Sequence, residues 1–356
     1  MPAILSSLNQ NKIAVAVSGG VDSAVCAMLL KNEGFEPTGV VIRFSATSEG
    51  CISAARETCE TIGIPLSVVD ASADFDREVV SPFCAAYCAG RTPNPCVLCN
   101  PVVKFAALCQ AADDLGCVHI STGHYADIEM REGFFLLKKA RCTARDQSYM
   151  LSGLSQSQLG RLLLPLGKFN SKQEIRELAQ RAGLSCSGAP DSQEICFIPG
   201  GNYPAFIHSR GLSGKQGRFI APDGSVLCSH MGVECYTVGQ RRGLGVSLGS
   251  PVFVKKIADN GDVVLAFSGG EFSDGVILRN FLLNPYFEQQ FPENLTVKIR
   301  SAATDVPCKI DSPRACGAQI ATLYFETPAR APAPGQTGVI YSGDFVVGSG
   351  EITSCF

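Results

Sequence analysis

Short apolar runs alternate with amphipathic segments along roughly the first 200 residues of the chain. Residues 12–17 form an apolar run that predicts a strand, and residues 23–33 predict a helix that Gly34 is placed to end. The apolar face of that helix consists of Val25, Cys26, Leu29 and Leu30. The alternation continues with predicted strands at 38–44, 65–71 and 117–122 and predicted helices at 55–64 and about 101–115. This order is typical of an α/β fold, a parallel sheet covered by helices on both faces.

The pattern changes near residue 200, where short apolar runs are separated by turn residues. Residues 217–227 contain two such runs around Pro-Asp-Gly, and residues 253–267 contain two around Asn-Gly, which is a strong hairpin signal. From residue 295 onward, further short runs predict strands. We therefore expect an α/β domain over 1–200, a small mostly-β domain over 201–270 and a C-terminal β-barrel over 271–356.

The composition narrows the class of protein. At 46% hydrophobic residues the chain can bury substantial cores, and its 36 glycines and 20 prolines argue against a long helical bundle. The balance of 30 basic and 33 acidic residues gives a net charge of −3. This balance argues weakly against nucleic-acid binding, because phosphate contacts usually come with a basic surplus.

The 17 cysteines bear on the cellular compartment. The N-terminal residues contain no apolar core of a signal peptide, and no apolar run reaches the roughly 18 residues of a membrane span. We therefore expect a cytoplasmic protein with reduced thiols. Most of these thiols, such as Cys26 and Cys109, are expected to pack as small hydrophobic side chains.

A glycine pair lies between the first predicted strand and the first predicted helix, in the sequence Ser-Gly-Gly-Val-Asp-Ser of Ser18–Ser23. Glycines let a backbone approach phosphate oxygens closely, and a helix N-terminus offers N–H groups and the positive end of a dipole. No Gly-Lys-Ser/Thr follows, so the loop is not a Walker A motif. The alternative is an ordinary glycine-rich turn between a strand and a helix.

Two further segments place thiols in loops. Cys96 and Cys99 form a CxxC pair in the proline-rich segment 90–100, a pattern shared by zinc, redox and cluster sites. The chain has no second CxxC and only four histidines, so a four-ligand structural zinc site is poorly supported. Cys196 follows residues 190–193, whose polar character predicts a loop and an accessible thiol.

These three segments, together with Thr122–Ala126, Arg145–Tyr149 and Tyr236–Arg241, resemble the tRNA-specific 2-thiouridylases, the MnmA/TrmU family of the PP-loop ATP pyrophosphatases. The similarity runs through nearly the whole chain, to Pro334–Gln336 and Gly348. It implies an adenine nucleotide alpha hydrolase-like N-terminal domain that binds ATP, followed by the two β domains. It also implies ATP-dependent 2-thiolation of the wobble uridine of tRNA.

The implied reaction is adenylation of uracil O2 followed by sulfur transfer, with AMP and pyrophosphate released, by a tRNA-uridine 2-sulfurtransferase. The implied cofactors are ATP and Mg²⁺. The implied partners are tRNA and a persulfide-donating sulfur carrier or cysteine desulfurase, with no membrane. By resemblance, Cys99 is the nucleophile and Cys196 carries the persulfide.

The remaining implied roles fall into two groups. The ATP contacts are Ala16, Val17, Ser18, Gly19, Gly20, Val21, Asp22, Ser23, Ile42 and Gly123. The contacts with tRNA, including its target base, are Asn94, Pro95, Cys96, His124, Arg145, Asp146, Gln147, Arg300, Ser301 and Gln336. Two positions depart from the family pattern: many relatives carry Asp where this chain has Cys96, and an aromatic residue is expected where it has Ser301. The departure at Cys96 therefore leaves open how protons are handled, and the departure at Ser301 leaves open one contact with tRNA.

Cys96 opens a second sulfur route. Three thiolates, from Cys96, Cys99 and Cys196, could hold a 4Fe–4S cluster whose open iron binds the sulfide to be transferred. The persulfide route needs only Cys99 and Cys196, and Cys96 would then be passive or handle protons.

A basic segment offsets the acidic total charge. Residues 138–181 contain nine basic and three acidic side chains, which favours tRNA binding, although such runs are often only a solvated helical face. The competing functions are another PP-loop enzyme, such as an amide-forming synthetase or a tRNA-modifying ligase, and a catalytically silent tRNA-binding protein. The first has no use for the two thiols, and the second predicts a degraded glycine loop.

Overall fold

A computed structural model describes residues 11–45, 49–189, 195–198, 200–311 and 319–356. The chain divides into two compact units. Unit 1 comprises residues 1–79, 96–193 and 344–346, and unit 2 comprises residues 80–95, 194–343 and 347–356. The predicted three domains, with boundaries at 200 and 270, stay a prediction beside these two units.

Unit 1 is built on a five-stranded sheet of order β3-β2-β1-β4-β7, in which every pairing is parallel. The strands β5 and β6 form an antiparallel hairpin, and Lys138 of β6 pairs antiparallel with Phe345, which also belongs to unit 1. The strands are β1 Lys12–Ala16, β2 Glu36–Arg43, β3 Leu66–Asp70, β4 His119–Ser121, β5 Ala126–Arg131, β6 Phe134–Lys139 and β7 Leu162–Leu163. The α/β fold class is confirmed.

The helices of unit 1 are α1 Val21–Asn32, α2 Glu49–Ile62, α3 Ser72–Phe75, α5 Pro95–Cys99, α6 Phe105–Asp114, α7 Ser148–Leu151, α8 Gln156–Leu159 and α9 Lys172–Arg181, where Pro95 itself belongs to unit 2. Short π-helical segments occupy Asp76–Val80 and Asn100–Lys104, and 3-10 turns occupy Thr143–Arg145, Pro165–Lys168 and Ser185–Gly188. The core between α1, α9 and the sheet includes Ile13, Val25, Leu30 and Ile175, each at most 1% exposed.

One helix differs from its prediction in extent. The helix expected near 101–115 begins at Pro95 and continues through α5, the π-helical segment and α6 to Asp114. Proline suits the first position of a helix, because the N–H it lacks would have no intrahelical partner there.

The expectation that no segment is long and apolar enough to cross a membrane was wrong for this same helix. Its 20 residues meet both criteria by length and composition. However, 44% of the tested window is buried inside the protein, and Phe105 and Leu108 are fully buried. Length and composition alone do not separate a core helix of this kind from a membrane span.

Unit 2 contains a four-stranded sheet of order β10-β11-β8-β9 and a barrel of order β12-β15-β14-β13-β16-β17 that closes by pairing β12 with β17. Both predicted hairpins form, β8 with β9 and β10 with β11. The strands are β8 Arg218–Ile220, β9 Val226–Ser229, β10 Val252–Ile257, β11 Val263–Phe267, β12 Phe272–Leu283, β13 Leu295–Lys298, β14 Val306–Asp311, β15 Ile320–Arg330, β16 Thr337–Ser342 and β17 Phe345–Cys355. The helices are α4 Ser81–Cys88, α10 Tyr203–Ser209 and α11 Pro285–Gln289, with a 3-10 turn at Val233–Cys235.

Candidate active site

The glycine pair lies where the order of the parallel sheet reverses. β1 lies between β2 and β4, and residues 17–20 connect the carboxyl end of β1 to α1. Open α/β sheets bind ligands at such a point. Three of the segments predicted to contact ATP end neighbouring strands at this edge: Ala16 ends β1, Ile42 is next to the end of β2, and Gly123 follows β4.

The loop itself is fixed by internal hydrogen bonds and close packing. The Ser23 hydroxyl accepts from the Ser18 N–H at 3.1 Å and donates to the Gly20 carbonyl at 3.0 Å. Gly19 has φ of +79°, and a Cβ at that position would lie 2.5 Å from the Cβ of Ala54. Any other residue at 19 would therefore displace the loop or α2.

The first turn of α1 is available to an anion. The helix starts after Gly20, and no side chain caps its N–H groups. Such N–H groups and the helix dipole favour a phosphate. Gly123 packs directly against this turn, because a Cβ there would lie 2.7 Å from both the carbonyl carbon of Asp22 and the N of Ser23. The residues present therefore fit the phosphates of ATP.

Asp22 is the charged centre of this turn. Tyr125 donates its hydroxyl to one Asp22 oxygen at 2.6 Å, and the Lys172 ammonium donates to the other at 2.5 Å. The Lys172 side chain is only 10% exposed, so its charge is held at this position with little screening by water. An ammonium group fixed beside a helix N-terminus can stabilise the charge that develops on a departing pyrophosphate.

Cys26, on the buried side of α1, serves packing as expected. Its thiol lies 3.1 Å from the Ser121 hydroxyl, which donates to the Leu163 carbonyl. Burial raises the pKa of the Cys26 thiol to about 12, so no thiolate forms at neutral pH.

His124 follows Gly123 and faces the helix that carries the CxxC pair. Its Nδ1 lies 2.7 Å from the Thr122 hydroxyl, and its ring stacks on Phe105 with centroids 6.0 Å apart. Burial, aided by the charge of Lys104, lowers the pKa of His124 well below its usual 6.5. The imidazole is therefore neutral at pH 7 and offers a hydrogen bond, not a charge, to any RNA that it meets.

The CxxC pair occupies the first turns of this helix. Cys96 is exposed and Cys99 is half-buried. Neighbouring protein atoms desolvate the Cys96 thiolate and raise its pKa, while the positive charge of Lys104 opposes that shift. Buried Asn100 fixes the turn, because its side-chain N–H donates to the Met150 carbonyl at 2.8 Å.

Cys196 belongs to unit 2 and is exposed. The next residue, Phe197, packs edge-on against Phe83 and also contacts Phe206, with ring centroids 5.2 and 5.5 Å apart. Buried Ile198 follows. The thiol thus stands beside a firmly anchored aromatic side chain. The predicted loop at 190–193 lies outside the described residues.

Two residues of the segment predicted to contact tRNA make internal hydrogen bonds. The Asp146 carboxylate accepts from the N–H groups of Ala140 and Ser148 and from the Ser148 hydroxyl. The Gln147 side-chain oxygen accepts from the Tyr125 N–H at 2.9 Å. The Gln147 backbone N–H donates to the Tyr125 carbonyl. Gln147 therefore fixes the backbone of Tyr125, and Asp146 links Ala140 to Ser148. The contact of both residues with RNA stays a prediction.

Five positions predicted to contact tRNA lie in unit 2. Exposed Arg300 donates to the Arg330 carbonyl at 2.8 Å, and Ser301 beside it is half-buried. Gln336 donates to the Thr92 carbonyl, two residues before Asn94. The other two such positions in unit 2 are half-buried Asn94 and buried Pro95.

The basic segment 138–181 divides into internal and exposed members. The side chains that bond within the fold include Arg161, Lys172 and Arg176, and Lys138 and Arg181 form ion pairs with Glu129 and Glu177. Arg176 donates to the carbonyls of Ser187 and Ala189 at 3.2 and 3.1 Å. Exposed members include Arg141, Arg145 and Lys168. The alternative of a solvated helical face therefore stays open for the exposed members of the segment.

The metal alternatives receive no support from ligand geometry. Across the described ranges, no three His, Cys, Asp or Glu side chains form a group that could hold a metal ion. Cys96 and Cys99 lie in unit 1 and Cys196 in unit 2. The three-cysteine cluster therefore stays a prediction, and no reaction step below is routed through it.

Sequence reasoning assigned no role to Tyr125 or Lys104 and counted Lys172 only within the basic segment 138–181. Lys172 contacts Asp22 across 150 residues of chain, and no local pattern encodes such a contact. A usable signal was the position of Lys172 immediately after Ser171, which caps α9 and thereby fixes where that helix begins.

Comparisons with known proteins match nearly the whole length of the chain. Residues 11–200 match the family described as the tRNA methyl transferase HUP domain, residues 205–266 the tRNA methyl transferase PRC-barrel domain, and residues 273–352 the aminomethyltransferase beta-barrel domain. Among curated relatives, the tRNA-specific 2-thiouridylase MnmA of Lachnoclostridium phytofermentans is 40% identical, covering 96% of this chain and 99% of that protein. That of Amoebophilus asiaticus is 37% identical, covering 98% and 97%, and that of Desulforudis audaxviator is 40% identical, covering 96% and 98%.

Solved structures match the chain less closely. One is the U34-tRNA thiolase NcsA of Methanococcus maripaludis with its 4Fe–4S cluster, at 21% identity and a TM-score of 0.35, covering 52% of this chain and 62% of that chain. Another is an NMN synthetase of Francisella tularensis, at 15% identity and a TM-score of 0.33, covering 53% and 69%.

Proposed function

The chain belongs to the tRNA-specific 2-thiouridylase family, and we propose that it thiolates the wobble uridine of tRNA at C2 in an ATP-dependent reaction. The observation that carries the proposal is the placement of two consecutive residues. Gly123 packs on the first turn of the phosphate-binding helix, and His124 stacks on Phe105 of the helix that carries Cys99. Within unit 1, Gly123 and His124 therefore connect the proposed phosphate site to the helix that carries Cys99.

The first step of the proposed route activates the uracil. Its O2 attacks the α-phosphorus of ATP, a new O–P bond forms, the bond to the bridging oxygen breaks, and pyrophosphate leaves. Lys172 and the first turn of α1 stabilise the departing negative charge, while Tyr125 and Lys172 hold Asp22 in place. Mg²⁺ bound with the nucleotide would add to this stabilisation.

The second step replaces the activated oxygen by sulfur. The terminal sulfur of a persulfide on Cys196 attacks C2, and the bond from C2 to the AMP oxygen breaks. The Cys99 thiolate attacks Sγ of Cys196, which breaks the S–S bond to the transferred sulfur and leaves a Cys99–Cys196 disulfide. A thiol reductant restores both cysteines, and a persulfide-donating carrier or cysteine desulfurase reloads Cys196.

Product analysis tests this proposal. The protein is incubated with ATP, tRNA and a persulfide donor, and the digested nucleosides are analysed by mass spectrometry. We expect 2-thiouridine, with AMP and pyrophosphate formed only when tRNA is present. Nucleotide turnover that forms a different product would favour another PP-loop ATP pyrophosphatase, and tRNA binding without turnover would favour a silent binding protein.

A further inference from the structure

Thr92 is held on both sides of its backbone by one loop of the barrel. The Thr92 N–H donates to the Pro334 carbonyl at 2.8 Å, and the Gln336 side-chain N–H donates to the Thr92 carbonyl at 2.8 Å. Gly335 lies between these two partners with φ of +94°, and a Cβ there would lie only 2.9 Å from the Thr92 N. We call this arrangement of residues 334–336 on Thr92 the Thr92 clamp.

The loop of the clamp is hydrogen-bonded to β17, a strand of the barrel. The Gly335 N–H donates to the Ile352 carbonyl, and the Ile352 N–H donates to the Gln336 carbonyl, both at 2.8 Å. Ile352 lies in β17 and is fully buried. Next to it, Glu351 accepts from the Arg91 guanidinium at 3.1 Å. Arg91 and Thr92 are therefore both tied to the same stretch of one barrel strand.

The chain between the clamp and the catalytic helix is stiff. Pro93 and Pro95 have φ fixed near −65° by their rings, and each disfavours the helical conformation for the residue before it. Three residues separate Thr92 from Cys96, and they are these two prolines with Asn94 between them. The orientation of Thr92 is thus passed on to Asn94 and to the start of the helix.

We propose that the Thr92 clamp positions the Asn94–Pro95 segment for the target base, and that Gln336 acts through Thr92 instead of supplying affinity for RNA. This proposal rests on the proposed function and on the expectation, from the family resemblance, that Asn94 and Pro95 contact the target base. It assigns Gly335 and Gln336 as positioning residues, because their contacts are with Thr92. A barrel loop distant in sequence would thereby control the rate of the chemical steps.

Gly335→Ala is the most specific test of the clamp. It removes no group that could bind RNA, and it places a methyl group against the backbone of Thr92. A misplacement of about 1 Å can cost on the order of 100-fold in rate. We expect kcat of thiolation to fall about 10- to 100-fold, with the tRNA Kd within about threefold of wild type. Gly343→Ala is the matched control, since Gly343 also has a positive φ in the barrel but open space around its Cβ position.

Gln336→Leu supplies an independent test, because it keeps the bulk of the side chain and removes only the hydrogen bond to Thr92. We expect the same fall in kcat, a tRNA Kd that is nearly unchanged, and faster hydrogen exchange in a peptide covering residues 89–96. Should Gly335→Ala fail to fold, this variant and its exchange rates decide the question.

The opposite pattern would overturn the proposal. A weakened tRNA Kd with unchanged kcat at saturating tRNA in Gln336→Leu would make Gln336 a direct RNA contact. Wild-type exchange in residues 89–96 of both variants would show that no clamp acts there. Absence of thiolation by the wild type would refute the proposed function instead, and hydrogen exchange would still report on the clamp.

Discussion

At the scale of single residues, the chemistry depends on where charges are held. Asp22 is part of a recognisable motif, yet its partners Tyr125 and Lys172 lie 103 and 150 residues away. The glycine loop could be predicted because neighbours in sequence create it. The Lys172 contact could not, because it arises from the packing of α9 beside α1, and a local pattern carries no information about that packing.

We expect Lys172→Met to lower tRNA-dependent release of pyrophosphate by about 10²- to 10³-fold, the usual cost of removing one preorganised electrostatic contact. Asp22→Ala should abolish that release while the fold is kept. Lys168→Met is the matched control, since Lys168 belongs to the same basic segment but is exposed. Normal pyrophosphate release by either the Lys172 or the Asp22 variant would remove the phosphate site from this loop.

His124 gives a prediction about pH. Its depressed pKa means that the folded protein resists protonation below about pH 6.5, where the unfolded chain takes up a proton. The free energy of unfolding should therefore fall as the pH drops below 6.5, and His124→Gln should make that fall shallower. An NMR titration of the ring protons checks the premise, and a midpoint at or above 6.5 would contradict it. Since the ring is neutral, His124→Gln should leave the salt dependence of tRNA binding unchanged.

At the scale of elements, strands and helices built from local patterns were predicted well. β1, α1 and both hairpins of unit 2 match, because glycine turns and apolar periodicity lie within a few residues of one another. The helix from Pro95 was predicted to begin some six residues too late, because a proline-rich CxxC segment resembles a loop. Here Pro95 starts the helix and Asn100 is fixed by Met150, a contact 50 residues away.

Two thiols are required by the persulfide route. We expect Cys99→Ala and Cys196→Ala each to abolish thiolation while tRNA affinity stays within a few-fold of wild type. Adenylation should persist in both, because the phosphate site of unit 1 is untouched. Thiolated nucleoside from either variant at near-normal rate would exclude the paired mechanism. Cys109→Ala is a suitable control, as that thiol is half-buried on α6 and has no proposed role.

Cys96 separates the persulfide route from a cluster. If Cys96 is an iron ligand, Cys96→Ala should lose iron, visible absorption and activity together. We expect instead that aerobically purified, iron-free protein is active and that Cys96→Asp is mild. Water can bypass a proton-handling group at a cost of about 10²- to 10⁴-fold in rate, whereas a methyl group cannot replace an iron–thiolate bond. Metal analysis beside the activity assay decides between them, and activity that depends strictly on iron would defeat the persulfide route.

At the scale of the whole molecule, a net charge of −3 is reconciled with an RNA substrate by how the basic side chains are used. Arg161, Lys172 and Arg176 bond to carbonyls or carboxylates of their own unit. Arg141, Arg145 and Lys168 remain exposed. A count of charges along the sequence cannot make this distinction, because it depends on how much of each side chain is exposed to solvent after folding.

The salt dependence of tRNA binding tests this division. Each phosphate contact contributes about 0.7 to 0.9 to the slope of log affinity against log salt. We expect Arg145→Ala to lower that slope by roughly one contact. We expect Arg176→Ala to leave it unchanged and to lower stability instead, because the carbonyls of Ser187 and Ala189 lose their donor. Filter binding over a range of salt concentrations, beside thermal unfolding of each variant, provides both measurements.

A slope that is equal in wild type and Arg145→Ala would return the exposed basic residues to a merely solvated surface. A reduced slope in Arg176→Ala would show that its guanidinium leaves those carbonyls to meet the RNA.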